Sequence, residues 1–186
     1  MRIISGNFKG KKISIPIDTN TRPLRDMVKE SIFNLIQHSN KIEVKINNSN
    51  ILDLFSGTGS FGLECLSRGA KKVTFVENYT QVLKILKKNI KILNIAENCK
   101  IIEHDCFKFL EDNKELKNNF DIIFIDPPYK EKKINTILDT IKKNNILNSN
   151  GIVIIHRHKK EDVQIGKDLK VLDERTYGIS KIIIAI

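Results

Sequence analysis

The sequence predicts an α/β domain whose mostly parallel sheet is covered by helices on both faces. From residue 50 onwards, short apolar segments alternate with amphipathic helical stretches, and a glycine-rich turn follows the first of these segments. Strands that alternate with helices form parallel βαβ units, whose helices pack on both faces of the sheet. The last two extended segments leave no room for a helix between them, which predicts a closing antiparallel hairpin.

The N-terminal part of the chain shows a different pattern. Residues 2–16 are predicted to be short extended segments around two glycine turns, and the polar residues 18–23 end any strand. Apolar residues recur at helical spacing over 25–38, which predicts a helix there. We therefore expect an N-terminal extension at residues 1–48, a short β-hairpin and a helix, ahead of a main domain at residues 49–186.

The elements of the main domain follow from their apolar runs. Each predicted strand is a short run bounded by polar or glycine residues, as buried strands are. The seven predicted strands cover 51–55, 72–77, 100–103, 120–125, 151–156, 168–176 and 179–186. The helices between the first five strands show apolar residues on one stripe. They are predicted to end near 68 and to cover 79–94, 107–110 and 131–145.

The composition is that of a globular protein with an excess of positive charge. The chain has 186 residues, of which 40% are hydrophobic and 29% charged, enough to build one domain with a core. Its 32 Lys and Arg residues against 22 Asp and Glu give a net charge of +10, which favours a polyanionic partner, nucleic acid first. No apolar run approaches the roughly 20 residues of a membrane helix, and no signal peptide is recognisable. We expect a cytoplasmic protein with no membrane partner.

The three cysteines are Cys65, Cys99 and Cys106, and no two of them form a CxxC pair. This pattern predicts neither a disulfide framework nor a zinc site, and it suits a reducing compartment. Cys65 and Cys106 lie within apolar patterns, so we expect both to be core residues rather than nucleophiles.

A glycine-rich turn links the first predicted strand of the main domain to its first helix. Gly57, Gly59 and Gly62 form a GxGxxG pattern, where backbone amides at a helix N-terminus receive nucleotide-type ligands. Glu77 ends the next strand, about 20 residues later, where a carboxylate can accept hydrogen bonds from ribose hydroxyls. Asp53 would repel a pyrophosphate but suits a cofactor that carries an ammonium and a sulfonium. Alternatively, Asp53 is a structural acceptor for loop amides.

A second polar position follows the third predicted strand. Asp105 is placed there to accept a hydrogen bond from an adenine amino group. Its alternative role is the N-cap of a helix over 106–110, and the two roles are compatible.

The tetrapeptide Asp126-Pro127-Pro128-Tyr129 follows the fourth predicted strand directly. Its two prolines fix the backbone in an extended form and donate no hydrogen bond, which leaves carbonyl oxygens as acceptors. With the Asp126 carboxylate and the Tyr129 ring, the segment is suited to bind a planar group that carries an NH2. The alternative is a rigid strand terminator with a packed tyrosine. Ligands of open α/β sheets lie beyond the carboxyl ends of the strands, where this tetrapeptide and the glycine turn would meet.

Together these residues resemble a class I S-adenosylmethionine-dependent methyltransferase, a Rossmann-like fold. The set comprises D-x-F-x-G-T-G-x-x-G at 53–62, Glu77, Asp105 and the DPPY tetrapeptide. More narrowly, nearly the whole chain resembles the bacterial RsmD family, the 16S rRNA guanine-N2 methyltransferases. The N-terminal RIISGNFKGKK, the segment 22–34 and Tyr177-Gly178 before the last strand carry this narrower resemblance.

The resemblance implies that S-adenosylmethionine is the cofactor and S-adenosylhomocysteine the product. Gly57 and Gly59 would line the methionine part of the cofactor, Glu77 its ribose and Asp105 its adenine. The expected cofactor-binding set is Asp53, Phe55, Gly57, Gly59, Glu77, Asp105 and Cys106. Asp126, Pro127 and Tyr129 would hold the target base as the catalytic set.

The implied partner is 16S rRNA within an assembling 30S subunit, and we expect the protein to be a monomer. RNA contacts are expected from basic residues of the N-terminal extension and from the segment after the tetrapeptide. The expected RNA-binding residues are Arg2, Lys9, Lys11, Lys12, Arg22, Arg25 and Lys130.

Two positions depart from the family pattern. Leu24 stands where the family often has Thr, so a hydroxyl contact is lost there. His156 stands where many members have Glu at the end of the fifth strand, and His158 follows closely. We interpret both histidines as residues at the rim or facing RNA. We expect no metal, because no third ligand has a fitting spacing.

The tetrapeptide also suggests a mechanism. The N2 lone pair of guanine is delocalised into the ring, so hydrogen bonds from N2–H to the Asp126 carboxylate and the Pro127 carbonyl would localise it and aim it at the sulfonium methyl. The base would be splayed out and stacked on Tyr129.

Other activities share part of the motif set. A DNA adenine-N6 methyltransferase also fits DPPY, although about 50 residues before the core leave little room for a DNA-recognition domain. A NAD-dependent dehydrogenase fits GxGxxG and Glu77 but leaves DPPY and the basic extension unexplained. A non-catalytic RNA-binding scaffold would have no need of the complete motif set.

Overall fold

The computed structural model describes residues 1–16, 24–113, 116–117, 119–128, 130–161, 163, 165 and 169–186. One sheet of seven strands forms the centre of the molecule, in the spatial order β3-β2-β1-β4-β5-β7-β6. The strands are β1 (Asn50–Leu54), β2 (Lys72–Glu77), β3 (Cys99–Glu103), β4 (Phe120–Ile125), β5 (Leu147–His158), β6 (Val171–Tyr177) and β7 (Ser180–Ala185).

Five α-helices surround this sheet in the described part of the chain. They are α1 (Asp26–His38), α2 (Ser60–Ser67), α3 (Thr80–Leu93), α4 (Cys106–Asp112) and α5 (Ile134–Lys143). Apolar residues at helical spacing explain the longer ones: Val82, Leu86 and Leu93 of α3 are buried against the sheet.

Strands β1 to β5 pair in parallel, and β7 pairs antiparallel with both β5 and β6. This arrangement confirms the predicted α/β fold with its mostly parallel sheet and closing hairpin. The strand order reverses between β1 and β4, so a crevice opens beyond the carboxyl ends of these two strands. Open α/β sheets bind their ligands at such a switch point.

The structure differs from the predicted elements at three places. The N-terminal hairpin is reduced to a single antiparallel bridge between Arg2 and Lys12. Helix α5 begins at Ile134, three residues after the predicted start at residue 131. Strand β5 begins at Leu147, four residues before the apolar run that predicted it, with a register irregularity against β4.

Two hydrophobic clusters lie on the two faces of the sheet. One contains residues of α4 and α5, such as Leu110 and Leu138. The other contains residues of α2, α3 and the N-terminal extension, among them Ile3, Val28 and Phe61. The extension thus shares a core with the sheet, while the division at residue 48 stays a prediction.

A buried ion pair fastens the extension to α2. Lys29 of α1 and Glu64 of α2 are both fully buried, and their charged atoms lie 3.6 Å apart. The Glu64 carboxylate also accepts hydrogen bonds from the backbone amides of Ile4 and Ser5, at 2.8 and 2.9 Å. Burial lowers the pKa of Lys29, and the neighbouring Glu64 carboxylate opposes that shift. Among the described residues, no helix is long and apolar enough to cross a membrane.

Candidate functional site: the crevice beyond strands β1 and β4

The glycine loop after β1 turns sharply before α2 begins. Three of its residues have positive φ: Phe55 at 56°, Gly57 at 54° and Gly59 at 82°. A Cβ atom on Gly59 would lie 2.5 Å from Cδ1 of Leu86 on α3, and the φ of 82° is strained for any other residue, so glycine is favoured at this position. The hydroxyl of Ser56 is buried and has no hydrogen-bond partner among the described residues. The loop therefore offers a polar group that a ligand could satisfy.

Glu77 at the end of β2 organises the opposite side of the loop. One carboxylate oxygen accepts from the backbone amide of Gly57 at 2.8 Å. The other accepts from the amides of Asn78 and Tyr79, both at 2.9 Å. Because an ionised carboxylate has about four acceptor positions, one remains for a ligand hydroxyl. The expected ribose contact of Glu77 remains a prediction.

Asp53 lies within β1, directly beneath the loop, and is only 1% exposed. Its carboxylate accepts from the backbone amide of Gly62 at 3.0 Å, which is the structural role that the sequence left open. Burial raises the pKa of Asp53 well above its ordinary value, and the carboxylates of Asp126 and Glu77 raise it further. The hydrogen bond from Gly62 opposes the shift. A bound cation would relieve this crowding of acidic groups.

The residues after β3 form the third side of the crevice. Asp105 caps α4, since its Oδ1 accepts from the amides of Phe107 and Lys108 at 3.0 and 3.1 Å. This confirms the predicted N-cap and leaves the adenine contact a prediction. The thiol of Cys106 is buried, and its sulfur accepts from the amide of Phe55 at 3.3 Å. Burial raises the pKa of the Cys106 thiol, which suits a core residue and not a nucleophile.

Asp126 and the two prolines close the crevice at the end of β4. The amide of Asp126 lies 3.5 Å from the Leu54 carbonyl of β1, and its side chain is 19% exposed. Pro127 is buried and Pro128 is exposed. Tyr129, the fourth residue of the predicted tetrapeptide, lies outside the described residues, as does Arg22 of the predicted RNA-binding set.

Two residues at the end of β5 hold this segment in place. His156 Nδ1 lies 2.8 Å from Oδ1 of Asp126. The Arg157 guanidinium donates to the carbonyls of Pro128 at 3.1 Å, Pro127 at 3.4 Å and Glu131 at 2.7 Å. Arg157 is 3% exposed and also pairs with the Glu161 carboxylate.

The interpretation of both histidines as rim or RNA-facing residues was therefore wrong for His156. It is 7% exposed and contacts the carboxylate of the tetrapeptide, because the parallel register sets the ends of β4 and β5 side by side. His158 is half-buried, and its Nδ1 accepts from the amide of Lys160 at 3.1 Å. One signal could have found the contact: a polar residue ending a strand next to the DPPY strand. The sequence alone does not give that strand order.

The predicted RNA-binding residues that the structure describes are exposed, but they do not form one group. Lys29 Nζ donates to the Arg2 carbonyl at 3.0 Å and lies 3.5 Å from the Ser60 hydroxyl, which places the Arg2–Lys12 bridge near the start of α2. The turn that carries Lys9 instead packs on the other end of this helix, where the Asn7 amide donates to the Ser67 carbonyl at 2.8 Å.

The remaining basic residues occupy other parts of the surface. The Lys11 ammonium lies 5.3 Å from the ring centre of Phe8, close to the same end of α2 as Lys9. Arg25 and Lys130 are both exposed, beside α1 and after the prolines respectively. The described residues contain no group of His, Cys, Asp or Glu that could hold a metal ion.

Comparison with known proteins identifies the family to which the chain belongs. The family model described as conserved hypothetical protein 95 matches residues 1–186. The chain belongs to this family. Among its relatives is ribosomal RNA small subunit methyltransferase D of Haemophilus influenzae, 33% identical over 180 residues, which cover 96% of this chain and 90% of the relative. The resemblance to RsmD proteins is thereby confirmed.

Solved structures agree with this family and fold. HI0767 of Haemophilus influenzae has a TM-score of 0.78 and 31% identity, and the match covers 99% of this chain and 96% of that one. A SAM-dependent methyltransferase from Agrobacterium tumefaciens shares the fold, with a TM-score of 0.61 and 19% identity, over 78% of this chain and 48% of its own. Within the family pattern, Leu24 is a core residue with 5% exposure, which explains an apolar side chain there.

Proposed function

We propose that this protein transfers a methyl group from S-adenosylmethionine to the exocyclic N2 of a guanine in 16S rRNA. The observation that carries the proposal is Asp126: its partly exposed carboxylate follows β4 next to the end of β1, where the glycine loop begins, on a segment that two prolines and Arg157 hold rigid. The family relative named as a small-subunit rRNA methyltransferase supports the RNA substrate.

The residues of the crevice fit the proposed cofactor. S-adenosylmethionine, when bound, supplies an electrophilic methyl group and carries two positive charges near its sulfur and amino groups. Glu77 and Asp126 both lie close enough to Asp53 to raise its pKa, so this side of the crevice would favour a cation. The unpartnered Ser56 hydroxyl and the glycine loop amides would hold the methionine end.

Asp126 and Pro127 would bind the target amine. A guanine N2 amine has two N–H donors, which the carboxylate and the carbonyl oxygen of Pro127 can accept. The Pro127 carbonyl already accepts from Arg157 at 3.4 Å, and its second lone pair is available for the amine. Held in this way, the N2 lone pair is directed towards the methyl donor, and the carboxylate neutralises the charge that develops on nitrogen.

The surroundings of the crevice suit an RNA substrate. Arg2 and Lys12 lie near the glycine-loop end of α2, and Lys130 follows the prolines, so positive charge stands on two sides of the proposed base site. We propose that the natural substrate is an assembling 30S particle in the cytoplasm, on which the protein acts as a monomer.

The role of Asp126 is tested by replacing it with alanine. Asp126→Ala should lower the rate of methyl transfer at least tenfold, because the amine loses its acceptor, while S-adenosylhomocysteine binding stays within about twofold. Transfer of labelled methyl to 30S subunits that lack the modification measures the rate, and calorimetry measures binding. Asp112→Ala, on the exposed end of α4, is the matched control. An Asp126→Ala variant with more than a tenth of the wild-type rate would contradict the proposal.

A further inference from the structure

Among the described residues, only His156 contacts the proposed catalytic carboxylate of Asp126 with its side chain. His156 Nδ1 and Asp126 Oδ1 are 2.8 Å apart, within the range of a charge-assisted hydrogen bond. The parallel pairing of Ile125 with Ile155 places the next residue of each strand side by side. The contact therefore follows from the sheet register and not from a chance approach of surface side chains.

The chemistry of the two groups fixes the direction of this hydrogen bond. An ionised carboxylate can only accept, so His156 carries a hydrogen on Nδ1 and donates it. The other ring nitrogen, Nε2, is buried and has no partner among the described residues. A buried N–H or a charged ring without a partner at Nε2 would be costly, so the neutral ring with its hydrogen on Nδ1 fits the site best.

The hydrogen bond from His156 to Oδ1 also orients the second carboxylate oxygen, Oδ2. Oδ1 of Asp126 is held by His156, and no described residue donates to Oδ2. Asp126 is close enough to raise the pKa of the buried Asp53 carboxyl. Without a donor at Oδ1, no described contact would hold the Asp126 side chain in place. With it, Oδ2 keeps one orientation.

We infer that His156 is a positioning residue that holds the Asp126 carboxylate so that Oδ2 meets the target amine. The inference rests on the proposed function. As the bond from N2 to the methyl carbon forms, the carbon–sulfur bond breaks and its electron pair stays on sulfur. N2 then carries a positive charge and passes one proton to Oδ2, from which it leaves to solvent. His156 keeps its own hydrogen throughout.

Two substitutions at His156 separate this role from simple packing. His156→Asn keeps an N–H donor near the position of Nδ1, whereas His156→Leu fills a similar volume without a donor. We expect His156→Leu to lower kcat about 10- to 100-fold with KM for RNA and binding of S-adenosylhomocysteine nearly unchanged, as loss of one orienting hydrogen bond would. His156→Asn should stay within about threefold of wild type. His38→Leu, at the exposed C-terminal end of α1, is the control and should change kcat less than twofold.

The outcomes distinguish this inference from the proposed function. A wild-type protein that methylates no guanine would contradict the proposed function, and the same variants then test the inference on whichever amine is methylated. Equal kcat for His156→Leu and wild type, or equal losses for His156→Leu and His156→Asn, would overturn the positioning role. If His156→Leu does not fold, nitrogen NMR of the wild-type ring decides: hydrogen on Nδ1 supports the inference, and hydrogen on Nε2 alone overturns it.

Discussion

At the residue scale, the environment of Asp53 destabilises the ionised form of its carboxyl. Its carboxyl is almost fully buried, and burial together with two neighbouring carboxylates raises its pKa well above the ordinary value. The native state therefore holds a proton on Asp53 at pH values where the unfolded chain has already lost it. Stability from this group is complete below the unfolded pKa of about 3.9 and is lost as pH rises towards the native pKa.

Because ionised Asp53 is destabilised in the fold, Asp53→Asn should change how stability depends on pH. Asparagine keeps an oxygen for the Gly62 amide but cannot ionise. We expect the variant to unfold at a higher urea concentration than the wild type at pH 8, with an advantage that shrinks as the pH is lowered towards 5. Urea unfolding of the ligand-free protein at several pH values measures the difference. A difference that does not change with pH would contradict the assignment.

Two local roles of site residues could be predicted from the sequence, whereas a contact between distant residues could not. The N-cap role of Asp105 and the loop-amide role of Asp53 were foreseen as alternatives, because short-range spacing suffices to propose each. The contact of His156 with Asp126 joins residues 30 positions apart on neighbouring strands. Only the strand order brings them together, and local pattern carries no information about that order.

At the scale of elements, residues near the end of β5 hold the segment after β4 in place through hydrogen bonds. Arg157 donates to three backbone carbonyls of residues 127, 128 and 131 and pairs with the Glu161 carboxylate. Two successive residues of one strand thus hold both the side chain and the backbone of the proposed base site. The planar guanidinium suits this task, since it offers five donors in fixed directions.

Arg157→Lys should therefore be a damaging substitution despite its retained charge. A single ammonium cannot reach the same set of carbonyls, so the segment after β4 should become more mobile. We expect kcat to fall about tenfold and limited proteolysis between residues 127 and 133 to become faster. Arg175→Lys, an exposed arginine of β6, is the matched control. If Arg157→Lys kept the wild-type kcat and the wild-type rate of proteolysis, the hydrogen bonds from Arg157 would not be needed to hold this segment.

The elements themselves were largely predictable, and the exceptions have physical causes. The bounds of β2 and β4 match because both are buried apolar runs flanked by polar residues. The start of β5 was missed because Asn148 to Asn150 are polar, yet they continue the strand at the edge of the register irregularity. Tertiary pairing, not local propensity, extends the strand there.

At the scale of the whole molecule, the net charge of +10 is spread over the chain: residues 1–48 hold nine Lys and Arg against four Asp and Glu, so only half of the excess lies in the N-terminal extension. The buried Lys29–Glu64 pair fixes how the extension lies on α2. It places the Arg2–Lys12 bridge at the glycine-loop end and the turn with Lys9 at the other end, a separation of about 12 Å for an eight-residue helix.

This arrangement predicts unequal contributions to RNA binding. Replacing Arg2 and Lys12 with alanine should weaken binding and reduce the dependence of log Kd on log salt by up to about two units, because phosphate contacts near the base site are lost. Replacing Lys9 and Lys11 should have a smaller effect. Binding of the target RNA at several salt concentrations measures both slopes. A larger loss for the Lys9 and Lys11 pair would instead place the RNA near the Ser67 end of α2.

The central claim is that the crevice methylates N2 of a guanine in 16S rRNA. Its most direct test is to incubate 30S subunits that lack the modification with labelled S-adenosylmethionine and the wild-type protein, and then to map the labelled nucleotide. We predict one labelled N2-methylguanine in 16S rRNA, and labelling at least tenfold slower with Asp126→Ala. Label on an adenine, or label on duplex DNA but not on ribosomal subunits, would contradict the claim.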